Sequence, residues 1–488
     1  MSDITAGQAV AAPLLGPAEH RAPSPVPLIA SAEQLTKWER LGWLLMAVLL
    51  VIGLPLAFKR AVNNGPDLAG FCDAGRYILQ HGMRDPDSTL SRYWPSADVP
   101  WIPISLLPIS LVAVLWYALN GVAWLGLLRT ICDRLLVNST SESTARFSEN
   151  PSTTARRHAT LAAGLLAMPL VLDGMALGSF HVLMIWLMLL GLDLACRGRT
   201  VSGGVLLGTA AWLKLLPMLG IGFLLLHRQW KASAIALATV VVLEVGLSVA
   251  AFGPAGAWRE HVLWWQQGAQ GTANRQLTAD KPVDEDRLTN QSVAITLRRL
   301  LTSLGTTDWV RAVPSDAAQD DHVAGATRRE ITPTGRIRRQ VQIANLSGDQ
   351  LQGAYLIVSS ILFLAVALYC RPVEGKVTSL VSMRRSAGRF VNFAPSTFPP
   401  KLVMLSLATL WFSPVTWSYH FVAATPAMAS LLLRARYRWA WVIPVFVVWC
   451  AGLCLLVSDT MRAASVLLWM SLLIGIGMVV YPAYRKAA

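Results

Sequence analysis

Apolar residues along this chain gather into blocks of about 20 instead of alternating with polar ones. Lipid offers no hydrogen bonds, so such blocks must pair their own backbone groups and are expected as helices. The pattern predicts spans near 41–58, 103–128, 158–177, 180–196, 232–252, 353–370, 402–414, 420–433, 439–457 and 463–481. The block from Val201 to Leu226 behaves differently, because Arg197 and Arg199 precede it while Arg228 and Lys231 follow it. Gly203, Gly204 and the Lys214-Leu215-Leu216-Pro217 break divide it into two short halves. A re-entrant or short-helix hairpin over 201–226, returning to its starting side, keeps both basic groups on one face. The expected fold is therefore an all-α polytopic membrane protein of about ten spans plus this hairpin.

Composition sharpens the pattern. Hydrophobic residues make up 54% of the 488 and charged residues only 14%. A formal charge of +14 would suggest nucleic acid on a soluble domain, but here Arg and Lys lie mainly between apolar blocks. Membrane lipids with anionic headgroups and the positive-inside rule account for that placement, and no nucleic-acid partner is expected. The basic loops, including 371–401 with Arg371, Lys376, Arg384, Arg385 and Arg389, are then cytoplasmic, as are both termini. Lys59 and Arg60 oppose the rule. Residues 1–36, rich in Ala and Pro and without a basic-then-apolar leader, are expected as a disordered cytoplasmic tail ahead of a membrane domain over 37–486. Six scattered cysteines and 19 Trp, several near block edges, call for packing and interfacial roles only.

With this orientation the stretches 59–102 and 253–352 fall outside, and both carry mixed polar chemistry. In the first, Gly65-Pro66-Asp67 is followed by Leu68, Phe71, Gly75, Ile78 and Leu79 at helical spacing, which predicts an amphipathic helix on the membrane surface. Asp67 in its first turn either complements the helix dipole or, with its oxygens toward water, serves as a general base. Asp73, Arg76 and Gln80 are polar positions of the same helix, and the loop goes on through Asp85-Pro86-Asp87, Tyr93-Trp94-Pro95 and a stiff segment from Pro103 to Pro108. Lys214, Asp173 and Glu244 are ionisable residues within apolar blocks, each a functional candidate for that reason. Lys214 is expected in a cytoplasmic-side hairpin, far from an outer site. No spacing suits a metal, and Asp85-Pro86-Asp87 is too weak to claim one.

Taken in order, Asp67, the run ending at Gly82, Asp85-Pro86 and Tyr93-x-Pro95 resemble the first outer loop of GT-C class membrane glycosyltransferases, and of glycosyltransferase family 87 in particular. Gly178 to His181 stands where that family has a Gly-Gln-x-Asn turn, and Gly204-x-x-x-Gly208 leads into Lys214-x-x-Pro217 as in its hairpin. Asn290-Gln291-Ser292 and Ser413-Pro414-Val415-Thr416-Trp417-Ser418-Tyr419-His420 resemble two further family segments, so the likeness runs from about residue 41 to 433. Departures are Ser179 and His181 for Gln and Asn, Ser96 for a second Pro, and Ser418-Tyr419 before His420. The segment near 300–350, with Asp316, Asp320, Asp321 and an Arg-rich run to Arg339, has no counterpart and reads as an external insertion.

The resemblance implies a GT-C-like bundle that transfers mannose or a related sugar from a polyprenyl-phosphate donor to a hydroxyl of a glycolipid or cell-envelope glycan. It implies an outer-face site, inversion and no cofactor. Asp67 matches the family's catalytic base, with Asp73 in reserve. His420, Tyr419, Lys214, Arg76 and Arg299 are the candidates for holding phosphate or carrier, and Asn290 and Gln291 for sugar hydroxyls. The rival is a lipid-linked sugar transporter or flippase, which would also need many spans and buried charge. Its usual sign, an internal repeat of spans, is not seen.

Overall fold

The computed structural model describes residues 36–62, 66–85, 93–136, 152–266, 292–302, 309–314, 327–332, 343–372, 398–413, 416, 418–435, 449 and 465–487. Helices dominate them: α1 (Lys37–Val62), α2 (Pro66–His81), the short α3 (Trp101–Ile104), α4 (Ile109–Thr130), α5 (Thr153–Leu177), α6 (His181–Cys196), α7 (Thr200–Leu213), α8 (Met218–Leu226) and α9 (Trp230–Leu263). After these come α10 (Val293–Leu301), α11 (Gly348–Cys370), α12 (Phe398–Trp411), α13 (Thr425–Ala435) and α14 (Val466–Ala487). One exception to the all-α expectation lies in the segment 300–350, where β1 (Trp309–Pro314) pairs antiparallel with β2 (Thr327–Thr332).

Four helical runs among the described residues are long and apolar enough to cross a membrane: Ile109–Leu135, Thr153–Leu177, Trp230–Gln266 and Gly348–Cys370. Shorter apolar helices include His181–Cys196, Thr200–Leu213 and Val466–Val479. The surface of α11 inverts the soluble pattern, with Leu356, Ile357, Ile361, Phe363, Leu364 and Leu368 all more than half exposed. Lipid is the solvent such a face requires, so the protein is membrane-embedded. The predicted span 439–457 lies, Trp449 apart, outside the described residues.

Several boundaries differ from the sequence expectation. Pro103 and Pro108 delay the second span, which begins at Ile109. The segment at 420–433 opens with a 3-10 turn over Ser418–Ala424 before α13 begins. The span expected at 232–252 continues as helix beyond 253, after Gly253 adopts φ 68°. His261 nonetheless reaches the Glu244 carboxylate at 2.9 Å. On a straight helix 17 residues would separate the two by about 25 Å, so the chain doubles back at Gly253.

The hairpin forms as two half-helices broken at Lys214, whose backbone is extended (φ −157°, ψ 141°), with Pro217 capping α8. Small residues seat it. A Cβ on Gly203 would lie 2.5 Å from the Ala195 backbone nitrogen of α6, and one on Gly208 would lie 2.5 Å from the Ala236 carbonyl of α9. Gly203 faces α6, and the Gly204-x-x-x-Gly208 pair faces α9, so α7 sits backbone-close between two neighbours. At the far end from the Lys214 break, α8 is tied down by His227 Nε2 on the Cys370 carbonyl (2.7 Å). Near that same end Asp193 of α6 is held between Arg134 and Arg197. The basic ends of the helices thus collect at one end of the bundle, and the Lys214 turn projects to the other.

Candidate functional site

The site grows from the meeting of α2 with the end of α5. Pro66 opens α2, where its fixed φ suits the first helical position, and half-buried Asp67 follows it. Behind Asp67 the stripe Leu68, Phe71, Cys72 and Ile78 is buried. The amphipathic face expected to lie on the membrane surface is instead met by protein: Phe71 stacks on Trp101 (4.9 Å, 7°) and meets Phe180 edge-on (4.9 Å). Gly178 ends α5 with φ 81°, and a Cβ there would sit 2.5 Å from Leu68 Cβ. Glycine is thus needed at this point both for the left-handed turn and for the close approach.

That approach sets Asp67 beside Tyr419, which also feels Asp173 and Tyr93 and hydrogen-bonds with the Ser179 side chain. Tyr419 belongs to the 3-10 turn after α12, and its ring meets that of the next residue, His420, edge-on at 4.6 Å. On its other side His420 faces the hairpin break, with Lys214 Nζ 3.1 Å from its Nε2. This corrects the expected position of Lys214: the hairpin does return to its starting end, but its tip reaches the site. The His181 ring, at the start of α6, lies 4.3 Å from that of His420 and is tilted by 33°. Tyr419 is thus within the electrostatic reach of two carboxylates, Asp67 and Asp173, and in ring contact with the His420 that meets Lys214.

The wall of the site is fastened by a polar network. Glu244 accepts from the Ser96 backbone and hydroxyl and pairs with His261, while Trp212 Nε1 donates to Ser96 Oγ (2.6 Å). Trp94 donates to the Ala211 carbonyl (3.3 Å) and stacks on Trp264 at 4.6 Å. Nearby, Arg84 pairs with Asp98 at 2.7 Å, both buried. Burial pushes the Asp98 carboxyl above the ordinary carboxylate range, although Arg84 opposes the shift. Glu244, a functional candidate from sequence, is in this arrangement an anchor for the loop that carries Tyr93.

Other candidates lie elsewhere. Asp73 and Arg76 pair with each other at 3.0 Å on the solvent-facing side of α2, opposite the buried stripe, with Arg76 also donating to the Ser105 carbonyl. Arg299 is buried on α10 and donates to Ser465 Oγ (3.5 Å). Burial, and after it Arg298, pulls its guanidinium down to about 9. Asn290 and Gln291 lie outside the described residues, and Ser292 caps α10. Sequence reasoning missed His181 and Ser179 as members of the site. Their only signal was a departure from a family turn, because the contact that gives them meaning joins distant parts of the chain.

These features define a helical membrane protein with a buried polar cluster built from broken helices and a short-helix hairpin. Residues 92–318 match the family model described as Glycosyltransferase family 87, which bears out the resemblance over that stretch. A membrane glycosyltransferase is the activity the match implies. The matched residues include Lys214, Asn290, Gln291 and Arg299, while Asp67 and His420 lie outside them. No curated protein and no solved structure matches the chain significantly.

Proposed function

We propose that the protein transfers mannose or a related sugar from a polyprenyl-phosphate donor to a hydroxyl of a glycolipid or cell-envelope glycan, with inversion, at the outer face of the cell membrane. The observation that carries this reading is the junction of a half-buried carboxylate, Asp67, with a basic pair, Lys214 and His420, through Tyr419. In this reading Asp67 takes the proton of the acceptor hydroxyl as its oxygen attacks the anomeric carbon. The bond from that carbon to the phosphate oxygen breaks, and the electron pair leaves on the phosphate. Phosphate is already a weak base, so one carboxylate suffices where a glycoside hydrolase uses two. Lys214 and His420 meet the charge on the departing phosphate with donors fixed in advance.

Asn290 and Gln291 are assigned to sugar hydroxyls on the strength of the family likeness, and Arg299 of α10, engaged with Ser465, is given no part at the Lys214–His420 pair. Asp73 and Arg76, occupied with each other in an exposed pair, are left out. The test is Asp67→Asn in membranes supplied with polyprenyl-phosphate sugar: transfer should be abolished with protein abundance unchanged. Full transfer by that variant removes Asp67 from the base role. Transbilayer movement of the lipid by the wild type, with no glycosidic product, would establish the transporter in its place.

A further inference from the structure

The basic side of the site contains one group to which the proposed reaction gives no work. His181 is 2% exposed, and its ring nitrogens have no side-chain partner among the described residues, only a marginal contact with the His420 backbone. A buried imidazole left in that condition loses its bonds to water and gains little in return. Its backbone is well held, since its N–H donates to Ser179 Oγ (3.2 Å) in the turn that closes α5. The ring itself packs on His420, whose Nε2 is engaged with Lys214, and the Lys214 charge acts on His181 as well. Three nitrogen-bearing side chains from three separate segments therefore converge: the start of α6, the hairpin break and the 3-10 turn.

Nitrogen donors gathered in a low-dielectric pocket suit an oxyanion better than a neutral sugar hydroxyl. We propose that His181 is a phosphate-binding residue, donating a ring N–H to an oxygen of the phosphoryl group that Lys214 and His420 also face. The assignment rests on the reading of the site as one for a phosphate-bearing donor. His181 then helps to set affinity for the donor and to exclude lipids whose headgroups have no anionic oxygen. Phosphate on a prenyl lipid and free phosphate share this chemistry.

The experiment uses the full chain in detergent micelles and reads the binding of farnesyl phosphate, with inorganic phosphate as competitor, beside sugar transfer. His181→Phe keeps a ring on His420 but removes both nitrogens, and should weaken farnesyl phosphate binding at least tenfold. His181→Gln, which restores a donor, should bind within about threefold of wild type. Equal binding by wild type and the Phe variant overturns the assignment. Competition by inorganic phosphate at equal concentration assigns the subsite to the bare ion. Failure to compete at hundredfold excess assigns it to the lipid-borne group.

Should the Phe variant not fold, wild-type protein labelled with 15N-histidine decides. The His181 ring resonances, identified by their loss in His181→Gln, should shift when farnesyl phosphate is added, and unshifted resonances overturn the proposal. Phosphate binding that depends on His181 without any sugar transfer would overturn the transferase reading and leave the subsite. Transfer with binding indifferent to His181 would do the reverse.

Discussion

Helix α6 begins and ends on buried polar residues that are treated in opposite ways. Near its last turn Asp193 lies between Arg134 and Arg197, each 2.7 Å away, and Arg197 also donates to the Arg134 carbonyl. At its first residue His181 is equally buried, yet its ring nitrogens find no side-chain partner among the described residues, only a marginal contact with the His420 backbone, and the side chains beside it are His420 and Lys214. Opposite charges in direct contact make one end a clamp between helices. The nitrogen-bearing groups gathered at the other end, His181, His420 and Lys214, are ones that an anionic oxygen would satisfy. The comparison teaches where structural and functional charge can be told apart: the structural group is satisfied by the protein, and the functional one is not.

Breaking the clamp should damage folding first. Asp193→Ala leaves two part-exposed arginines facing each other, and with their partial hydration the loss should be about 1–3 kcal/mol. The measure is thermal unfolding in detergent, with activity per folded molecule retained. An unfolding temperature equal to wild type would count against the clamp.

Lys214→Met at the other end should do the opposite. It removes one hydrogen-bond donor to His420 from a half-buried position while keeping the apolar stem, so stability should change little while kcat falls by about 10² to 10³, the range for loss of one pre-organised donor. Loss of fold together with activity would make Lys214 structural and erase the contrast.

An intermediate case is the buried Arg84–Asp98 pair. Arg84→Met alone should destabilise by about 3 kcal/mol by leaving Asp98 charged and unpaired, whereas Arg84→Met with Asp98→Asn should recover most of that loss. Because Asp98 titrates above its ordinary value in the folded state, its charged form is disfavoured by folding. For a group shifted in this direction the folded state binds more protons, so its contribution to stability is fully present below the ordinary carboxylate value, is lost as pH rises through the folded value, and levels off above it. A denaturation series across acidic pH checks the sign, and Asp98→Asn should flatten it.

The smallest effect is expected at Asp73 and Arg76, whose side chains are 70% and 47% exposed. Asp73→Ala should change stability by less than about 0.5 kcal/mol. Transfer should also be unchanged, and a large loss of activity would bring Asp73 back as the base.

Much of the architecture was legible before any coordinates. Block length gave the helices, and the basic groups on both sides of 201–226 required a hairpin that turns back, which α7 and α8 form around Lys214. The start of α2 at Pro66 was legible because Gly-Pro before an amphipathic run marks a helix start. The doubling back at Gly253 was not, since a single glycine in an apolar block does not reveal that His261 will reach Glu244. Nor was the apex of the hairpin at the site: Lys214 and His420 are 206 positions apart.

What the sequence determined by itself was the solvent, the helical periodicity and the places where helices must break, because hydropathy, proline geometry and backbone hydrogen bonding act over a few neighbouring residues. Tertiary structure alone decided which breaks meet. Whether Lys214 is a stray buried charge or a member of a site depends on Gly203 and Gly208 allowing α7 to sink between α6 and α9. It depends equally on the turn at Gly178, which brings Asp67 and Tyr419 together. Those are close packings between distant segments, and no local pattern of hydrophobic and polar residues encodes their partners.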